Sequence, residues 1–427
     1  MKETRHSKES FSLKDFLKAL TLGLLLSSLD MVSDFIFADS LPPECDLPLR
    51  FDRPPICGDL KKSETQALTY MFIAAPFLFL TASRLQLLLQ ATVKKYSNGF
   101  SHSNVAICIT NFITPAIVVF GLTGLYFLSK FVTPFGFILA ILSAIFILGV
   151  KILALFVHGP EMKKFVIRVT AAESLYESSF QLLLVIWVFL GSGEWNTAGL
   201  VSGSISFLVI GKASAESFIS IERMDNQKPL WCPEKIRNYY LLAVHSQVFA
   251  FMALFRVGSI ALIFTWARLN ENEHLIYLVV YSTLTLALPI VTLLLLKLCI
   301  LKDLGVGRCI EGCFAELVNT SMWKPRSKHG TKISIVFAIY FLLLNCAAMI
   351  WIICDPRRWF EVDPEVELEK QFGKEWIEGR AYRLQISAII CLIDGCFSFT
   401  LFLFSPLSFE EDPSVEEKKH FTREDDY

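Results

Sequence analysis

Val166-Ile-Arg-Val-Thr-Ala-Ala-Glu-Ser-Leu-Tyr-Glu-Ser-Ser-Phe-Gln-Leu-Leu-Leu-Val-Ile-Trp-Val-Phe-Leu190 is long enough to cross a bilayer. Its first half nevertheless carries Arg168, Glu173, Glu177 and Gln181. The last three are spaced by four, so on a helix they stack along one face. A carboxylate at the bilayer centre costs about 2.5–3.5 kcal/mol on insertion scales. Two on one stripe require that the stripe face protein, water or a polar ligand.

The surrounding chain supplies a membrane setting. Of 427 residues, 53% are hydrophobic and only 19% charged, against roughly a quarter in a soluble domain. Mean hydropathy is +0.50. Ten apolar segments fall near 17–38, 66–90, 104–129, 133–157, 166–190, 196–220, 239–268, 276–300, 333–353 and 384–404. The expected fold is therefore all-α, a polytopic transmembrane helix bundle over 17–404. It is preceded by a polar leader, 1–16, and followed by a charged, disordered tail, 405–427. The segments 166–190 and 196–220 are polar enough to be re-entrant. The leader and the first apolar run lack a small-residue cleavage site, so the run reads as an uncleaved anchor.

Lys and Arg accumulate in the leader, at Lys94 and Lys95, at Lys163 and Lys164, and between Arg223 and Arg237. A further basic cluster runs from Lys302 to Lys332. This pattern places both termini in the cytoplasm, although the loop 354–383 also carries several basic residues. The net charge of −1 argues against a nucleic-acid partner. Of 11 cysteines, Cys45 and Cys57 share one Pro-rich loop and are the candidate disulfide if that loop is extracellular. Cys309 and Cys313 lack a second ligand pair for zinc, so no metal and no cofactor is expected. No G-x-S-x-G, H-E-x-x-H or glycine-rich phosphate loop occurs, which reads against an enzyme.

Polar residues recur inside other apolar segments. Asp30 and Asp34 are four apart in the first, and Lys212 and Glu216 four apart in the sixth. Arg256 sits in the seventh and Asp394 in the last. Arg84, Lys151 and Lys297 lie nearer segment ends, where they are expected to snorkel to the interface. The blander reading of the whole set is internal ion pairing that fixes helix register. The functional reading is a polar track for lipid headgroups, ions or protons.

Four places resemble the XK-related family, membrane proteins that include apoptotic phospholipid scramblases. They are Leu29-Asp-Met-Val-Ser-Asp34, Glu173-Ser-Leu-Tyr-Glu-Ser-Ser-Phe-Gln-Leu182, Ser204–Ala215 and Phe255-Arg-Val-Gly-Ser-Ile-Ala-Leu-Ile-Phe264. Phe180 stands where the family has proline, so the helix break expected there is in doubt. The resemblance implies eight spans with two half-helices, a plasma-membrane location and movement of membrane phospholipids between leaflets without ATP. It also implies an accessory membrane subunit, with a homodimer as the alternative, and a tail removed by caspases. Asp363 and Asp412 precede prolines, and Asp425 and Asp426 are too near the end for cleavage to remove anything. Caspase activation therefore has little support in this tail. The rival expectations are an ion channel or proton-coupled transporter on the same charges, and a membrane receptor or scaffold.

Overall fold

The computed structural model describes residues 23–46, 57–58, 60–96, 117, 120–156, 160–224, 234–269, 284, 328–354 and 374–404. The leader, the tail, Lys297, Cys309 and Cys313 lie outside the described residues, as do the segment 276–300 apart from residue 284 and most of 104–119. Among the described residues all regular structure is helical. We number the helices α1 (Leu26–Ser40), α2 (Lys62–Tyr96), α3 (residues 120–131), α4 (Thr133–Phe156), α5 (Pro160–Glu173) and α6 (Ser179–Ser192). They continue as α7 (Thr197–Met224), α8 (Glu234–Leu269), α9 (Lys328–Cys354) and α10 (Lys374–Phe404).

Among the described residues, five helical stretches are long and apolar enough to cross a membrane: Lys62–Ala82, Thr133–Phe156, Thr197–Ala215, Ser246–Trp266 and Tyr382–Leu401. Alongside an apolar core, the helices bury polar groups and turn large apolar side chains outward. On α1, Leu29, Val32 and Ile36 point outward while Asp30 and Asp34 are fully buried. On α4, Leu142, Ile145 and Leu153 are exposed while Ser143 and Lys151 are buried. Apolar surface outside and polar groups inside fit an integral membrane protein.

α6 is the central post. It packs against α7 and α8, and it also touches α2. α1 lies along α7, α4 along α2, and α10 against α8 and α9. Met31, Ile73, Ala140, Ile147 and Val169 bring α1, α2, α4 and α5 together. Leu190, Phe255, Leu262, Met349 and Leu384 do the same for α6, α8, α9 and α10. Small residues permit the close approaches: a Cβ on Gly203 would sit 3.2 Å from the Val185 side chain.

The proline at Phe180's position in the resembled family is absent, and the chain stays helical from Pro160 to Ser192. The interruption is a single π-turn, Ser174–Ser178, in which the Ser179 N–H bonds to the Ser174 carbonyl. The Phe180 ring instead stacks on Phe72, with centroids 5.2 Å apart. Pro134 sits in the first turn of α4, where its missing N–H costs nothing. α6 ends at Gly193, whose φ of 76° lets its N–H bond the Phe189 carbonyl. The Arg383 guanidinium occupies the space a Cβ on Gly193 would need.

One end of the bundle is latched by polar contacts. Cys45 and Cys57 form a disulfide with Cα atoms 5.2 Å apart. Their loop packs with Phe37, Leu41 and Leu60 against Leu184, Val185 and Val188 of α6. Asp46 Oδ1 accepts the Ser63 N–H and hydroxyl, capping α2 in trans. Glu64 accepts the Lys61 N–H and pairs with Lys130 at 3.1 Å, which raises the Lys130 ammonium above its ordinary pKa.

A cross-link over 12 residues is worth about 3 kcal/mol by loop-closure entropy. Dithiothreitol, or Cys45→Ser with Cys57→Ser, is therefore expected to lower the thermal midpoint of the purified protein by several degrees. An unchanged melt in both cases would show that the loop does not brace α6.

Candidate functional site

The stripe Glu173, Glu177 and Gln181 crosses the π-turn. In an α-helix each step of four residues drifts about 40° around the axis. The π-turn Ser174–Ser178, wound more widely than an α-turn, carries Glu177 between Glu173 and Gln181. All three side chains are fully buried.

Asp30 and Asp34, one turn apart on α1, face the same place. Ser178 donates to Asp30 Oδ2 at 2.7 Å, and Ser206 of α7 donates to Asp30 Oδ1 at 2.9 Å. Ser202, one turn before Ser206, donates to Asp34 Oδ1 at 2.7 Å. Glu173 accepts from the Ser27 hydroxyl on α1 and from the Lys151 ammonium on α4. The result is a column of four carboxylates and one amide, gathered from α1, α5, the π-turn and α6. It is held by serines from α1, the π-turn and α7 and by one lysine.

The column is incompletely satisfied. Both Glu177 carboxylate oxygens, Asp34 Oδ2 and both polar atoms of Gln181 have no hydrogen-bond partner among the described residues. A buried polar atom left in that state forfeits about 1–3 kcal/mol of solvation, and more if charged. Buried polar groups in folded proteins are hydrogen-bonded as a rule, so these open atoms single out the column as the candidate site.

Other sequence-identified residues lie elsewhere. Arg256 of α8 is buried and donates from Nη1 to Asn345 Oδ1 of α9 at 3.0 Å. Asp394 of α10 is half-buried, with Oδ2 lacking a hydrogen-bond partner among the described residues. Next to it in the helix, Cys391 contacts the Ser259 hydroxyl at 3.4 Å. Arg256 thus ties α8 to α9 and Ser259 ties α8 to α10, and Arg256 reaches toward α9 rather than into the column. Lys212 is half-buried on α7. Arg168 on α5 and Glu216 on α7 have helical backbones, and their side chains lie outside the described residues.

One expectation needs correction. Lys151 does not snorkel: it is 6% exposed and ion-paired with Glu173. Six residues from the end of its segment, it has a buried anion nearer than the interface. Arg84 does stay exposed, over the Phe165 ring at 5.4 Å. Sequence reasoning also passed over the serines. Ser202 and Ser206 are spaced by four, as are Asp30 and Asp34, and that matched spacing was the available signal.

Compared with known proteins, the chain matches no family model, no curated protein and no solved structure.

Removing one member of a buried ion pair strands the other at a cost of about 3–5 kcal/mol. Lys151→Met is expected to destabilise the protein on that scale, and the added change Glu173→Gln to restore most of the loss. Thermal unfolding of the two single variants and the double variant in detergent checks the coupling. Additive losses would mean that the two side chains do not interact.

Proposed function

We propose that the protein is a phospholipid scramblase that moves lipids between leaflets without ATP. The observation that carries this reading is the buried column with open acceptors at Glu177, Asp34 and Gln181, inside a bundle whose outer surface is apolar. A headgroup crossing a bilayer loses its hydration, and the loss must be replaced by other polar contacts. The column supplies a ladder of such contacts over more than two helical turns, while acyl chains remain in the surrounding lipid. A carboxylate ladder fixed by neighbouring helices needs no nucleotide and no metal to do this.

The resemblance to the XK-related family supports the same reading and extends it to eight spans with two half-helices, in the plasma membrane. The disulfide supports this orientation, because Cys45 and Cys57 suit an oxidising compartment, as expected if the loop after α1 faces outside and the N-terminus the cytoplasm. An even number of spans returns the C-terminus to the same side. Ion or proton translocation is the rival on the same acids, because the Glu177 oxygens are as open to a small cation as to a headgroup.

Full-length protein in liposomes is expected to let dithionite quench fluorescent lipid well past the outer-leaflet half. Glu177→Gln, which keeps shape and removes charge, is expected to slow the second phase about tenfold, the worth of one charge-assisted hydrogen bond. Quenching that stops at half, with or without truncation before Phe409, would refute the reading.

A further inference from the structure

Four serine hydroxyls that reach the column's carboxyl groups are already committed. Ser27 gives its hydroxyl proton to Glu173, Ser178 and Ser206 give theirs to Asp30, and Ser202 gives its own to Asp34. A serine has one such proton to give. On the carboxyl and amide groups of the column, the atoms without hydrogen-bond partners among the described residues are Glu177 Oε1 and Oε2, Asp34 Oδ2, and the oxygen and nitrogen of Gln181. With the carboxyl groups ionised, all of these but the Gln181 amide nitrogen are acceptors, and their side chains are buried. Such a set repels a phosphate, which offers only acceptors and negative charge. It suits a group that brings positive charge and N–H donors together. The column already makes one contact of this kind internally, where the Lys151 ammonium meets Glu173.

We propose that Glu177, Asp34 and Gln181 recognise a primary ammonium group, the head of an aminophospholipid, and discriminate against the trimethylammonium of choline lipids. The lipid source of that group rests on the scramblase reading. A primary ammonium carries three N–H donors and fits against carboxylate oxygens at hydrogen-bond distance. A trimethylammonium carries none, and its methyl groups hold the charge farther away. Selection then resides in the nitrogen end of the headgroup, and the phosphate stays outside the column.

The test uses full-length protein in phosphatidylcholine liposomes with four probes labelled on the acyl chain, so that the headgroup nitrogen is unmodified. The probes are phosphatidylethanolamine, its N-methyl and N,N-dimethyl derivatives, and phosphatidylcholine. Exchange is expected to slow stepwise as N–H donors are lost, by about tenfold across the series, and Glu177→Gln to flatten the series. Equal rates for all four probes in the unaltered protein would overturn the inference and leave the scramblase reading standing. Should none of the four exchange, the scramblase reading fails, and the melting of the purified protein with ethanolamine or choline decides the site alone. A rise with ethanolamine only, abolished by Glu177→Gln, would assign the site to a soluble amine. No rise with either would overturn the site as well.

Discussion

Four carboxylates held together inside an apolar bundle constrain everything around them. Each needs donors, and in the interior of a membrane protein the donors must come from neighbouring helices. Asp30 of α1 takes hydroxyls from the π-turn and α7, Asp34 takes one from α7, and Glu173 takes one from α1 and an ammonium from α4. These bonds fix the relative height and rotation of α1, α4, α5 and α7 more tightly than apolar packing does, because a slipped register would strand an acid. The same requirement explains why α7 presents serines at 202 and 206 to α1 and a glycine at 203 to α6.

The bundle distributes its labour around that column. α6 and the π-turn carry Glu177 and Gln181, the groups the fold leaves open. The disulfide loop presses on the far end of α6, where a Cβ on Gly58 would meet the Val188 carbonyl at 2.9 Å. α8, α9 and α10 cluster around Phe255, Leu262 and Met349 on the other side, with Arg256 and Asn345 as their own polar contact. One side of α6 is thus acidic and incompletely satisfied, and the other is mainly apolar. That asymmetry suits a path along the first side with the second as its support.

Much of this was legible in the chain. The spacing of Glu173, Glu177 and Gln181, and that of Asp30 and Asp34, marked the column, because period four on an apolar helix has few bland explanations. The helical class followed from the apolar runs, and Cys45 and Cys57 stood out by sharing a polar loop. Lys151 was misread because distance from a segment end says nothing about where an anion lies. The π-turn left no signature that a sequence period can detect, since it inserts one residue into an otherwise regular pattern. Arg256 and Asp394 looked like further steps of the same track. Which helix a buried charge faces is settled by rotation and packing, which a linear list of polar residues cannot supply.

Whether the column carries lipid or ions is decided by paired fluxes on the same proteoliposomes. Lipid exchange and the release of trapped potassium are followed together for the unaltered protein and for Asp34→Asn. The account predicts lipid exchange that slows with Asp34→Asn, and potassium release no faster than from empty vesicles. Potassium release that falls with Asp34→Asn while lipid exchange is unaffected would contradict it.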